Sequence, residues 1–160
     1  MRNFAFRRLT KNDLPLMRDW LLSPHVRAWW PDAEKQTIKM LQDMDSPDIN
    51  MLLVSLGDHP FAYIHDHSAH AYNQLQFADL PPGTRVISTF VGDPSFAGQG
   101  HAAAYIDARV RDLRLNHLTI AAGPNAKNIH AISTYASAKF AKRRLATARD
   151  GRLVQVMTRL

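Results

Sequence analysis

The chain has 160 residues, 46% of them hydrophobic and 21% charged, with a formal net charge of +6. That size and apolar content suit one compact domain spanning residues 1–160 and leave no room for two enzyme domains. It contains no cysteine, which excludes disulfides, thiolate metal sites, iron–sulfur clusters and a cysteine nucleophile. Apolar runs are a few residues long, as in Met51–Val54, against the roughly 20 residues of a membrane-spanning helix. Charges interrupt residues 1–8 where a secretory signal has its apolar stretch. The expected setting is the cytoplasm, without a membrane partner. The positive charge suits an anionic partner such as nucleic acid, a membrane surface or a phosphorylated cofactor, and does not choose among them.

Phe4–Leu9 alternates as a strand, and Thr10 with Asp13 has the form of a helix cap before a helix over 13–22. Leu14, Met17, Trp20 and Leu21 give that helix one buried face, and Ser23-Pro24 ends it. A second helix is expected over 33–44, with Ile38, Leu41 and Met44 on its buried stripe. Asn50–Leu56 and Phe61–Asp66 read as a hairpin around the turn formers Gly57-Asp58-His59-Pro60. Residues 67–84 form a long polar loop ending in Leu80-Pro81-Pro82-Gly83.

Arg85–Val91 is apolar and β-branched enough for a central strand. A glycine-containing turn follows, then a helix over 101–113 striped by Ala103, Ile106, Val110 and Leu113. Leu118–Ala121 is a short strand, and 128–139 a last helix carrying Ile129, Ile132 and Tyr135 on one side. Asp150-Gly151 joins two final strands, Phe140–Ala148 and Arg152–Leu160, with a strong hairpin signal. There is no repeat, low-complexity tract or linker.

A glycine turn running directly into a helix N-terminus gathers unpaired amides and the positive end of the helix dipole at one place. Ala97-Gly98-Gln99-Gly100-His101-Ala102 has that form. It lacks the Gly-Lys-Ser/Thr of a Walker loop and the later acidic residue of a dinucleotide fingerprint. Alone, it reads equally as a plain strand-to-helix turn.

The surrounding segments resemble the GNAT N-acetyltransferase family, whose pyrophosphate loop reads Gln/Arg-x-x-Gly-x-Gly/Ala after a central strand. Gly100 and Ala102 match that pattern, and Ala97 departs from its first position. The element order of nearly the whole chain is similar as well. Within the family, Ser23-Pro24-His25-Val26-Arg27-Ala28-Trp29-Trp30, Pro60-Phe61-Ala62-Tyr63-Ile64 and Leu80–Ile87 resemble the branch of aminoglycoside 6′-N-acetyltransferases and siderophore-type lysine acyltransferases. So do Pro124, Asn128, Ala131-Ile132 and Tyr135.

The resemblance implies an α/β (α+β) fold: a twisted mixed, mostly antiparallel sheet of six to seven strands flanked by about four helices. It implies acetyl-CoA as co-substrate and a small-molecule amine as acceptor, with no metal and no nucleic acid, in a monomer or homodimer. The backbone of Thr89, Phe90 and Val91 is then expected to hold the pantetheine arm by strand addition, and Gly98, Gln99, Gly100, His101 and Ala102 the pyrophosphate. Asn128 is expected to bond the pantetheine, and Tyr135 to donate a proton to the leaving thiolate. Core packing is the competing reading for Tyr135.

Transfer to an amine also needs a base, because the ammonium form has no lone pair. The branch has a central-strand aspartate where this chain has Ser88. Asp93 or a water chain is the candidate base in its place, although Gly-Asp-Pro is also a turn sequence. Trp29 and Trp30 are candidate acceptor walls or core residues, and Asp66 and Asp79 candidate acids beside the acceptor. Further departures are Ala62 and Lys139 for glycines and Gly123 for an aspartate.

His59, His65, His67 and His70 crowd one region. Their ordinary reading is polar histidines near a loop, with relay of the acceptor's proton as a further role and a metal site as a minor alternative. The basic run Lys142-Arg143-Arg144 with Arg149 and Arg152 reads as a solvated face, a coenzyme phosphate contact or a nucleic-acid surface. The leading function is acetyl transfer to a primary amine, with an aminoglycoside 6′-amine as the most specific acceptor. The alternatives are a lysine-type amine, or a coenzyme A-binding module without turnover.

Overall fold

The computed structural model describes residues 2–160. It has seven strands: β1 (Phe4–Arg8), β2 (Ile49–Leu56), β3 (His59–Ser68), β4 (Arg85–Val91), β5 (Ile120–Ala122), β6 (Ala141–Thr147) and β7 (Leu153–Arg159). Its helices are α1 (Leu14–Leu22), α2 (Pro24–Arg27), α3 (Ala33–Asp43), α4 (His101–Leu113) and α5 (Ile129–Ser137). The strands form one sheet in the order β1-β2-β3-β4-β5-β7-β6. The pairs β1/β2, β5/β7 and β6/β7 are antiparallel, whereas β4 and β5 run parallel. This is the mixed, mostly antiparallel sheet with helices that the sequence led us to expect.

Two compact units divide the chain. The first comprises residues up to His65 together with Thr89–Gln99. Its core gathers Leu9, Met17, Trp20, Leu21, Val26 and Met40 with Met51, Tyr63 and Phe90. The capping box at Thr10 and Asp13 starts the chain toward α1, with the Thr10 amide donating to Asp13 at 2.8 Å and Arg7 paired to the same carboxylate. Ser23-Pro24 ends α1, but Pro24 also opens the extra short helix α2, because proline at a first helical position forfeits no hydrogen bond.

Helix α3 corrects the expected stripe. Ala33 and Met40 are buried and Met44 packs partly against the core, while Ile38 and Leu41 are exposed. Residues 33, 37, 40 and 44 share one face of a 3.6-residue period, and Thr37 on that face returns its hydroxyl proton to the Ala33 carbonyl. At the end of β4, the Gly92 and Asp93 amides both donate to the Phe61 carbonyl, at 2.8 and 3.1 Å. Two donors on one acceptor mark a bulge that turns the chain out of the sheet.

The second unit comprises Asp66–Ser88 and Gly100–Leu160. The parallel ladder between β4 and β5 is two pairs long, Arg85↔Ile120 and Val86↔Ala121, and β4 continues for five residues beyond it. The expected strand over 118–121 begins later, at Ile120, and Leu118 is exposed. In α5, Ile132 and Tyr135 are buried while Ile129 is exposed, since it follows immediately on the cap.

The expected loop 67–84 is tied down. It contains a 3-10 turn at Leu75–Phe77, Phe77 is buried, and Arg144 donates to the Gln76 carbonyl at 2.9 Å. Arg149 donates to the Asn73 carbonyl at 2.9 Å, and His70 Nε2 lies 2.9 Å from the Leu80 carbonyl. Phe77 also accounts for Gly123: a Cβ at that position would fall 2.7 Å from the phenyl ring.

Lys139 sits just past α5 with φ of 73°, and the Phe140 amide closes the helix by donating to the Tyr135 carbonyl at 3.0 Å. A side chain in this left-handed conformation costs about 1 kcal/mol or more, which glycine avoids. Lys139→Gly is therefore expected to raise stability by roughly 0.5–1 kcal/mol after the added freedom of the unfolded chain is counted. Chemical denaturation, read as a higher midpoint at unchanged slope, checks it.

Candidate functional site

The turn between β4 and α4 is built as its sequence suggests. Gly98 and Gly100 have φ of 74° and 75°, and Gly100 is the N-cap of the 13-residue α4. The first turn of α4 carries no acidic residue. A Cβ on Gly98 would meet nothing within 4 Å, so backbone conformation alone, rather than space, demands glycine there. A helix start with no side-chain cap, left-handed glycines and no acidic residue in its first turn fits a pyrophosphate. Arg2 donates to the Gln99 carbonyl at 3.2 Å, adding a cation to the same turn.

The end of β4 is engaged within the protein. The Thr89 hydroxyl donates to the Tyr63 carbonyl at 2.6 Å, Phe90 is buried against Trp30, and the Val91 carbonyl lies 2.9 Å from His25 Nε2. A carbonyl oxygen retains a second lone pair.

Asp93 is the cap of a 3-10 turn at Pro94–Phe96. It accepts from the Ser95 amide at 3.0 Å and the Ser95 hydroxyl at 2.8 Å, and its other oxygen lies 2.7 Å from His59 Nε2. The His59 ring stacks on Phe96 at 5.0 Å, and Phe96 on Phe61 at 4.7 Å. The His59 and Ser95 hydrogen bonds hold the Asp93 carboxyl below the usual carboxylate range. That strengthens a structural anion and weakens a base.

Tyr135 is buried and lies 5.4 Å from the Phe140 ring. Burial, with a smaller contribution from Tyr105, pushes its phenol above the ordinary value, so it stays protonated. Among the described residues its hydroxyl has no hydrogen-bond partner. The Asn128 side-chain oxygen caps α5 by accepting from the Ala131 amide at 3.1 Å, which leaves its amide nitrogen for another acceptor.

The two acids expected beside the acceptor are spent elsewhere. Asp66 has no solvent exposure, and its carboxylate meets Arg85 at 2.7 Å and Arg109 at 2.8 Å. Such a carboxylate completes a buried ion triad instead of facing a ligand. Asp79 is exposed but pairs with Arg144, whose hydrogen bond lowers its carboxyl below the usual range.

The tryptophan pair divides, with Trp29 exposed and Trp30 half-buried. Trp30 meets Phe90 at 5.1 Å, His65 at 5.7 Å and Tyr63 at 6.2 Å between ring centres. Together with Gln36, Lys39, Met40, Asp43, Ile49 and Met51, Trp30, Tyr63 and His65 line a small open pocket. Sequence reading missed this pocket as a unit, although the alternation of Tyr63 and His65 on one strand face was visible. Among the described residues, no three of His, Asp or Glu are placed to hold a metal ion.

A family model described as an acetyltransferase (GNAT) domain matches residues 10–148. The chain belongs to the GNAT acetyltransferase family. At that level, the expectations of an N-acetyltransferase and of acetyl-CoA as co-substrate both stand. Curated aminoglycoside N(6′)-acetyltransferases type 1 of Klebsiella pneumoniae and Serratia marcescens are 26% identical over 164 residues, covering 96% of this chain and 81% of theirs.

Among solved structures, AAC(6′)-Ib in complex with ribostamycin and coenzyme A has a TM-score of 0.87 at 21% identity, covering 98% of this chain and 93% of that one. An uncharacterized Bacillus halodurans protein has a TM-score of 0.89 at 15% identity, covering 98% and 83%. These likenesses show the GNAT fold. No helix among the described residues is long and apolar enough to cross a membrane.

Because the Asp93 carboxyl is lowered in the folded chain, its contribution to stability is complete above the unfolded value of about 3.9. It is lost as pH falls through the folded value. Asp93→Asn is expected to flatten the acid side of the curve of melting temperature against pH and to leave the neutral side parallel to wild type. Thermal melts between about pH 2 and 7 measure it.

Proposed function

We propose that this GNAT acetyltransferase moves the acetyl group of acetyl-CoA to a primary amine of a small molecule, the 6′-amine of an aminoglycoside being the acceptor class favoured. The observation that carries the reading is the match to aminoglycoside N(6′)-acetyltransferases along 96% of the chain. The aromatic pocket at Trp30 and Tyr63 supports an amine-bearing ligand, since aromatic faces attract ammonium groups. The whole chain, 1–160, acts in this reading as one catalytic domain.

The co-substrate supplies an activated acyl group as a thioester. Gly98–Ala102 would take the pyrophosphate on backbone amides, the Thr89–Val91 backbone and the Asn128 amide nitrogen the pantetheine arm. The Tyr135 phenol is suited to donate a hydrogen bond to developing negative charge, because its raised value keeps the proton in place. It serves better as a donor to the departing sulfur than as a strong acid. Trp30 would contact the acceptor, whereas Asp66 and Asp79 are no longer assigned to it.

A lysine-type amine is the second reading, favoured by the altered acceptor side at Ala62, Ser88 and Gly123. Acetyl-CoA calorimetry followed by thiol release with aminoglycosides, polyamines and lysine derivatives separates these cases. Binding with release on an aminoglycoside is the expected result. Release only with lysine derivatives would transfer the acceptor assignment, and binding without any release would identify a module without turnover. Tyr135→Phe is expected to lower kcat by about 100-fold, with acetyl-CoA affinity little changed.

A further inference from the structure

Removal of the proton from the acceptor ammonium has no residue assigned to it. Ser88 is not a base at neutral pH, Asp93 is held by His59 and Ser95, and Asp66 is enclosed by two arginines. We propose that His65 is the catalytic base that takes this proton, an inference that rests on the acetyl-transfer reading above.

Three observations within the first unit converge on His65. It lines the pocket that holds Trp30 and Tyr63, so its imidazole is accessible to a ligand there. Its Nδ1 lies 2.9 Å from the Tyr63 phenol oxygen, and its ring packs edge-on against Trp30 at 5.7 Å. Tyr63 is fully buried two residues away on the same strand face, so the ring is held by a rigid element and not by a loop. The same pocket presents the Gln36 side-chain oxygen, an acceptor for an ammonium.

With Nδ1–H donating to the phenol oxygen, the imidazole lone pair is on Nε2. The ammonium N–H bond breaks, its proton passes to Nε2, and the nitrogen keeps the electron pair with which it attacks the thioester carbon. As the C–N bond forms and the C–S bond breaks, the second nitrogen proton ends on the thiol. His65 returns its proton to solvent, one per turnover. Tyr63 acts as a positioning residue.

The other charged groups at the pocket are Lys39 and Asp43 of α3, which pair with each other at 3.2 Å. Strand β2 adds the apolar Ile49 and Met51 to the lining, and Phe90 of β4 packs on Trp30 at 5.1 Å.

The test measures kcat/KM against pH for wild type, His65→Gln and Tyr63→Phe, with acetyl-CoA calorimetry on each. Wild type is expected to show a rise across the imidazole range of about pH 5–8, besides any later limb from the amine. His65→Gln is expected to lose that rise and about 100-fold in kcat while binding acetyl-CoA normally. Tyr63→Phe should shift the rise and lower kcat by about tenfold.

A His65→Gln enzyme that keeps the rise and a rate within about threefold of wild type overturns the proposal and leaves the function standing. If His65→Gln also loses acetyl-CoA binding, Tyr63→Phe decides: a shifted profile supports the role and an unchanged profile and rate overturn it. A wild-type chain that acetylates no amine removes the functional reading and this one together.

Discussion

A carboxylate with no access to water must have its charge matched inside the protein, and Asp66 is matched twice. Arg85 from β4 and Arg109 from α4 converge on it, one on each oxygen, while Arg85 also donates to the Asp66 carbonyl. The end of β3, the start of β4 and the middle of α4 are thereby fixed to one point. Loss of Asp66 would leave two largely buried guanidiniums without their anion, a cost of several kcal/mol. The helix that presents its N-terminus at the glycine turn is held in place by this triad and by its buried Tyr105, Ile106 and Val110.

The legible parts of the chain are those whose causes are local. β4 and α4 fall on the residues expected, because a β-branched run, a glycine turn and a helical stripe each declare themselves within a dozen positions. The Asp150-Gly151 hairpin is of the same kind. The stripe of α3 misled because hydrophobicity at Ile38 and Leu41 outweighed small or polar residues on the face that packs, Ala33 and Thr37.

The site divides along the same line. The glycine turn is contiguous and readable from sequence, whereas the fates of Asp66 and Asp79 depend on arginines 19, 43 and 65 positions away. The pocket at Trp30 joins the bend after α2, α3 and two strands, which no window of sequence contains. The basic run near the end is likewise resolved only by partners. Arg144 and Arg149 serve the loop before β4, and Arg152 pairs with Asp150.

The fastening of residues 69–84 has an effect on how that segment moves. Phe77, Ala69, Thr84 and Leu80 anchor the segment by burial and packing, while its surface is held by Arg144 to Gln76 and Asp79, Arg149 to Asn73 and His70 to Leu80, with Arg144 to Asp79 an ionic link. An exposed ion pair weakens as added salt shortens the Debye length from about 8 Å at physiological ionic strength, whereas a packed phenyl ring does not. Ionic strength therefore acts as a selective solvent variable on this chain. It loosens the rim of the segment and leaves its anchor in place, so that local opening and global unfolding respond differently to added salt.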